Sequence, residues 1–273
     1  MQEKYIAKYI DIHSHLNLEQ FDSDRDEVIQ KLKNENTATI TVGVDYETSK
    51  FAIELAEKHE HLYACVGLHP ADNVNEVFDI DKYLELAGNK KVVAIGECGL
   101  DYFRLPENQD EIFKIKEKQK EVFLNHISLA IKTSKPLMIH ARPSKGTMDA
   151  YNEVIDILEG YKKENPSLHA NFHFFVGDIG VADRIIKNNW TVSYDGPITF
   201  TRDYDEVIRH IPLELIMAET DAPFAAPVPH RGKRCEPWMV SEVVKKIAEI
   251  KGLSLEEVSL KLIENTNKTF RLI

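Results

Sequence analysis

Eight apolar, β-branched runs alternate with amphipathic segments along this chain, and no other feature limits its fold so strongly. The runs are Tyr9–His13, Thr37–Val44, Leu62–Gly67, Val92–Gly96, Pro136–His140, Ala170–Phe174, Thr191–Asp195 and Leu213–Glu219. Between them, apolar residues recur three and four apart, as at Val28, Ile29 and Leu32 or Phe51, Ile53 and Leu55, which is the spacing of one helix face. The longest helical segment covers Glu111 to Thr133; Pro237 to Lys251 reads as a helix opened by proline, and Ser254 as the cap of the last one. Strand then helix, eight times over, predicts an α/β fold, a single-domain (β/α)8 TIM barrel spanning residues 1–273. Continuous apolar runs suit parallel strands covered on both faces. The rival is an open doubly wound sheet, which favours a Gly-rich turn after the first strand; Asp11-Ile-His-Ser-His15 contains no glycine.

Composition narrows the partners. With 34 Lys+Arg against 45 Asp+Glu, the net charge of −11 argues against a surface built to grip duplex DNA, and leaves room for a local basic groove or a metal centre that meets phosphate. The three cysteines, Cys65, Cys98 and Cys235, form no CxxC pair and read as reduced thiols of a cytoplasmic protein. Met1 to His15 holds no apolar leader core, and no run reaches the length of a membrane span. No membrane association and no obligate protein partner is expected.

Polar residues at the ends of these apolar runs carry the chemistry. His13 and His15 end the first strand, His69 follows the third, Glu97 the fourth, His140 ends the fifth, His173 lies in the sixth and Asp221 follows the eighth. The C-terminal rim of the strands is where barrel enzymes assemble their sites, so residues distant in sequence are expected to meet at one mouth. In a strand, residues i and i+2 face the same side, so His13 and His15 can reach one ion. Any one of these residues alone reads as an ordinary strand-end polar group. Together, four histidines and two carboxylates are costly to bury unpaired, and a divalent metal is the economical explanation. Nitrogen and oxygen donors without cysteine suit Zn, Mn, Ni, Co or Mg, and six ligands exceed one tetrahedral ion, so two ions are expected.

The motifs Asp11-Ile-His-Ser-His-Leu16, Gly67-Leu-His-Pro70, Gly96-Glu-Cys-Gly-Leu-Asp-Tyr102, His140-Ala-Arg142, His173-Phe-Phe-Val-Gly177 and Glu219-Thr-Asp-Ala-Pro223 occur in this order. Together they resemble the TatD family of metal-dependent deoxyribonucleases, amidohydrolase-like (β/α)8 hydrolases, from Tyr9 through the closing Asn265-Thr-Asn-Lys-Thr-Phe270. The resemblance implies His13, His15, Glu97, His140, His173 and Asp221 as metal ligands, with Glu97 shared between ions. It also implies cleavage of single-stranded DNA in the manner of a 3'-5' exonuclease. The chain departs from the family pattern at Pro143, at Phe174 and Val176, and at Cys235, where an Asn is usual; none is a proposed ligand.

The mechanism expected is attack on a phosphate ester by a hydroxide bridging two ions about 3.5–4 Å apart. Glu97 and Asp221 are the expected catalytic carboxylates, with Asp221 orienting the water or taking its proton. Asp11, on the same strand face as the two histidines, is a candidate to buttress them, and Glu219 to do likewise for the eighth strand. For substrate contacts, His69 can donate to a phosphate oxygen and Arg142 offers a bidentate fork. The basic run His230-Arg-Gly-Lys-Arg234 brings Arg231 and Arg234 to a loop after the eighth strand. Asp101 and Tyr102 either line the entrance or shape a turn. Two other readings share these ligands: a carbonyl hydrolase acting on a lactone or amide at the same dinuclear centre, and a metal-binding module without chemistry.

Overall fold

The computed structural model describes residues 7–71 and 76–272; residues 1–6 of the stretch read as lacking a leader, and residue 273, lie outside it. The apolar runs form eight strands: β1 (Tyr9–Ser14), β2 (Thr37–Val42), β3 (Leu62–Val66), β4 (Val92–Asp101), β5 (Leu137–Arg142), β6 (Ala170–Phe172), β7 (Thr191–Tyr194) and β8 (Ile216–Ala218). Each pairs in parallel with the next in chain order. The returning helices are α1 (Arg25–Asn34), α2 (Tyr46–Lys58), α3 (Ile80–Ala87), α4 (Gln109–Thr133), α5 (Asp149–Glu164), α6 (Ile179–Lys187), α7 (Asp205–His210), α8 (Val240–Lys251) and α9 (Leu255–Phe270). Their starts are written in the sequence. Asp45 and Thr48 cap α2 reciprocally, Asn108 accepts the Asp110 and Glu111 amides at the head of α4, and the Ser254 hydroxyl accepts the Glu257 amide. Among the described residues, no helix is long and apolar enough to cross a membrane.

The ring closes between β8 and β1 just past the end of β8. The Asp221 amide donates to the His13 carbonyl (2.9 Å) and the His15 amide to the Ala222 carbonyl (2.7 Å). Asp11 fastens this seam: its carboxylate accepts the Thr220 amide (3.0 Å), the Thr220 hydroxyl (2.7 Å) and the His13 amide (3.2 Å). Asp11 therefore supports the backbone that carries the histidines; the expected buttress of the imidazoles themselves is not what it provides. Apolar residues divide into a large layer between strands and helices, and a smaller cluster of strand residues, including Ile10, Ile12, Ile40, Ala94, Met138 and Met217, closed off by Phe270 and Leu272.

Two strands differ from expectation. Leu213–Leu215 forms a single 3-10 turn after Pro212, which leaves β8 only three residues, Ile216–Ala218. Conversely, β4 runs on to Asp101, so Glu97 sits inside a strand and not after it. Gly96 and Gly99 permit this. Both hold positive φ (151° and 141°), and a Cβ would stand 2.5 Å from the Met138 carbonyl oxygen at Gly96 and 2.0 Å from that of His140 at Gly99. With β4 pressed this closely against β5, only glycine fits, and the register shifts between Ile95 and Cys98, around Glu97.

Candidate metal centre

The C-terminal ends of β1, β4, β5, β6 and β8 bring all six expected ligands together, and Glu97 stands between two groups of them. Its Oε2 faces His13 Nε2 (3.4 Å) and His15 Nε2 (3.8 Å). Asp221 Oδ1 closes that group at 3.3 Å from His15 Nε2 and 3.7 Å from His13 Nε2. The other oxygen, Oε1, faces His140 Nδ1 (2.8 Å) and His173 Nε2 (2.7 Å). His13 is fully buried and Glu97 is 3% exposed, whereas the Asp221 and His140 side chains keep 15% and 14% of their surface, so the cluster meets solvent at both.

The outward nitrogens of the same histidines show what the inward ones are for. His15 Nδ1 meets the Val42 carbonyl (2.9 Å) and His140 Nε2 meets Asp101 Oδ2 (3.0 Å). His13 Nδ1 and His173 Nδ1 both face Glu219 Oε2, at 3.7 and 3.4 Å. Every outward neighbour is an acceptor, the arrangement in which a metal-bound histidine donates outward and turns its lone pair to the ion. The inward nitrogens crowd one another: His13 Nε2 lies 3.2 Å from His15 Nε2 with two carboxylates alongside. Such a convergence of buried acceptors calls for cations at its centre, so the donor set fits divalent metal. Ligand atoms of His13, His15 and Glu97, of His13, His173 and Glu219, and of His69, Glu97 and His140 each lie within 4.8 Å of one another.

Both ligand-side carboxylates are held ionised. Burial pushes the Glu97 carboxyl up, but His173, His69 and His13 around it bring it well below the usual range. Burial likewise raises Asp221, and its contact with His15, with His13 beyond, outweighs that and lowers it. Asp195, at the end of β7, goes the other way: burial, then Glu219 and Asp221 nearby, push it well above the ordinary value. Backbone strain gathers here too, since Phe174 and Asp221 hold left-handed φ of 45° and 53°. The Phe174 amide is pinned by Glu219 Oε1 at 2.5 Å.

His69 also reaches the cluster, but the opposite way round. Its Nδ1 accepts the Ala71 amide (3.2 Å), so its proton sits on Nε2, which faces Glu97 Oε1 (3.5 Å) and His140 Nδ1 (3.3 Å). Among these histidines it alone presents a donor inward.

The chain matches the family model described as TatD related DNase over residues 10–271. It belongs to that family. Among TatD relatives, it is 39% identical over 266 residues to the metal-dependent hydrolase YabD of Bacillus subtilis (96% of this chain, 98% of YabD) and 31% identical over 268 residues to the metal-dependent hydrolase MJ1582 of Methanocaldococcus jannaschii (97% and 98%). The crystal structure of YjjV, a TatD homologue of Escherichia coli, superposes with a TM-score of 0.84 at 25% identity, covering 97% of this chain and 98% of that one. The protein is thus a TatD-family metal-dependent hydrolase on a (β/α)8 barrel, with His and Glu groupings able to hold metal ions.

The expected substrate residues are placed unequally. Arg142 ends β5, exposed, with its guanidinium carbon 4.1 Å over the Phe103 ring. Arg231 stacks 3.8 Å over Phe200. Arg234 is a correction: its guanidinium pairs with Asp24 (2.6 and 2.8 Å), donates to the Gln20 carbonyl (2.8 Å) and lies over Phe21, tying the loop after β8 to the loop after β1. Tyr102 does not line the entrance either. It is buried, and its hydroxyl donates to Glu153 (2.8 Å). Cys235 is buried beneath the loop, away from solvent, where burial pushes its thiol up. One residue gained a role that the sequence did not assign: Asp101, which holds His140. The available signal was a carboxylate at a strand end, the same that marked Glu97.

Proposed function

We propose that this TatD protein hydrolyses phosphodiester bonds of single-stranded DNA, in the manner of a 3'-5' exonuclease. The observation that carries the reading is the pair of ligand groups on either side of Glu97, with every outward histidine nitrogen facing an acceptor. His13, His15, Asp221 and Glu97 would hold one ion, and His140, His173 and Glu97 a second; nitrogen and oxygen donors suit Zn, Mn, Ni, Co or Mg. Divalent ions bound there would supply Lewis acidity toward the phosphoryl oxygens and would lower the pKa of water. Asp221, ionised and partly exposed to solvent, would orient the attacking water and accept its proton. His69 donates its Nε2–H to a phosphoryl oxygen, and Arg142 offers a second fork to the anion. Three buried, unpaired thiols support a reducing, cytoplasmic setting.

The test is a chelated and remetallated sample assayed on end-labelled single-stranded and duplex DNA with Mg or Mn. Stepwise shortening of the single strand, lost in Glu97→Ala and Asp221→Asn, is expected. No cleavage of any oligonucleotide, with turnover of lactones or amides instead, would overturn the reading in favour of a carbonyl hydrolase.

A further inference from the structure

Two phenylalanines stand exposed beside the centre, and the topology sets them on opposite walls. Phe103, just past β4, is 45% exposed, and Phe224, past β8, is 48% exposed. In a ring of eight strands in chain order, β4 and β8 lie half a turn apart, and the cluster draws on the ends of β1, β4, β5, β6 and β8. Each is tied to the chemistry by its own amide. Phe103 N–H donates to Asp101 Oδ1 (3.0 Å), the carboxylate that holds His140; Phe224 N–H donates to the Asp221 carbonyl (2.9 Å). The Phe224 ring centroid is 6.3 Å from that of His15. The backbone that carries each ring is therefore tied to the cluster.

Their surroundings point to one class of occupant. Arg142 is exposed and covers one face of Phe103, so an aromatic face and a cationic edge are offered together at one point of an otherwise acidic protein. A nucleotide has the complementary pair, a flat π-face and a phosphate, and base stacking on protein aromatics is indifferent to base identity. An apolar ligand would use the ring and leave the guanidinium unanswered.

We propose that Phe103 and Phe224 form a two-sided base clamp, in which the unpaired bases flanking the scissile phosphodiester stack on opposite walls while that phosphate sits on the floor between them. Arg142 takes the phosphate next to the base on Phe103. Bases drawn to opposite walls cannot remain paired in a duplex, so the clamp selects single strands or frayed ends. This inference rests on the phosphodiesterase reading above and names its substrate class more closely.

The experiment measures KM and kcat of the metal-loaded protein on a trinucleotide and on two versions of it, abasic on the 5' or the 3' side of the cleaved bond. The proteins are wild type, Phe103→Leu, Phe224→Leu and the corresponding Trp variants. Leucine keeps apolar bulk without a π-face, and both positions are exposed, so folding is unaffected. Each Leu variant is expected to raise KM on the intact substrate by roughly 5- to 150-fold. That loss disappears on the substrate lacking the base that the ring would stack, one ring for each side, and Trp restores it. Equal KM for intact and abasic substrates in the wild type, or Leu penalties that persist on both abasic versions, would overturn the clamp while leaving phosphodiester hydrolysis intact. Absence of cleavage of all three by the wild type would refute the underlying reading, and the clamp with it.

Discussion

Glu219 offers the sharpest test of the centre, because replacing it by Gln separates metal affinity from stability. Its Oε1 is committed to the Phe174 amide at 2.5 Å, and its Oε2 faces His13 Nδ1 and His173 Nδ1. In Glu219→Gln the amide oxygen keeps the Phe174 N–H, which turns the NH2 toward the two imidazoles. A donor then faces a donor, and at least one ring must carry its proton on the inward nitrogen, where it removes a lone pair from the cluster. Loss of such a partner weakens metal binding about 10–100-fold, or roughly 1.4–2.7 kcal/mol. The metal-free protein responds otherwise. Glu219 is fully buried and its Oε2 has no hydrogen-bond partner, so an amide of the same shape breaks no hydrogen bond there. Its Tm therefore holds. Calorimetric titration of chelated protein with Zn or Mn, beside thermal melts of the metal-free form, reads both effects. Because Glu219 faces one histidine of each group, both bound ions should weaken. Affinity within twofold of wild type, or a fall in Tm of the metal-free variant, would refute this account.

Asp221→Asn should lower kcat on single-stranded DNA by about 10²–10⁴-fold with a smaller change in KM, since it removes the proton acceptor and keeps the shape; steady-state kinetics check it. Arg234→Ala should lower Tm by the equivalent of about 1 kcal/mol, for a half-buried two-pronged pair, while KM for an oligonucleotide changes less than twofold. Burial holds the His126 imidazole down to about 4, against about 6.5 in the unfolded chain, so the unfolded state binds more protons between those values. Its contribution is at full strength above pH 6.5 and fades as pH falls toward 4, by about 2 kcal/mol at pH 4.5; urea unfolding of wild type and His126→Gln at pH 7 and 4.5 should differ by that amount. Saturating metal at about 100 times its Kd should raise stability by about 2.7 kcal/mol, seen as a Tm that tracks metal concentration.

The sequence by itself determined the barrel and the composition of its centre. Eight apolar runs with helical spacing between them leave few ways to bury every strand on both faces, and the ends of those strands are marked by His13, His15, Glu97, His140, His173 and Asp221. Strand boundaries were less legible where local pattern misleads. Leu213–Leu215 is as apolar as a strand yet follows Pro212 into a 3-10 turn, and glycines at 96 and 99 look like a bend but let β4 continue against β5. What only the tertiary structure decided is which way each side chain is turned and what lies behind it. Residue type gives His69 and His140 the same two nitrogens, and only the fold puts an amide donor, that of Ala71, behind one and an acceptor, the Asp101 carboxylate, behind the other. Arg142 and Arg234 are equal charges in sequence, yet a nearby Asp24, distant along the chain, claims one of them and leaves the other at the mouth. Hydrophobic periodicity acts along the chain and is readable there. Protonation, pairing and orientation depend on neighbours brought together from elsewhere, and those exist only once the barrel has closed.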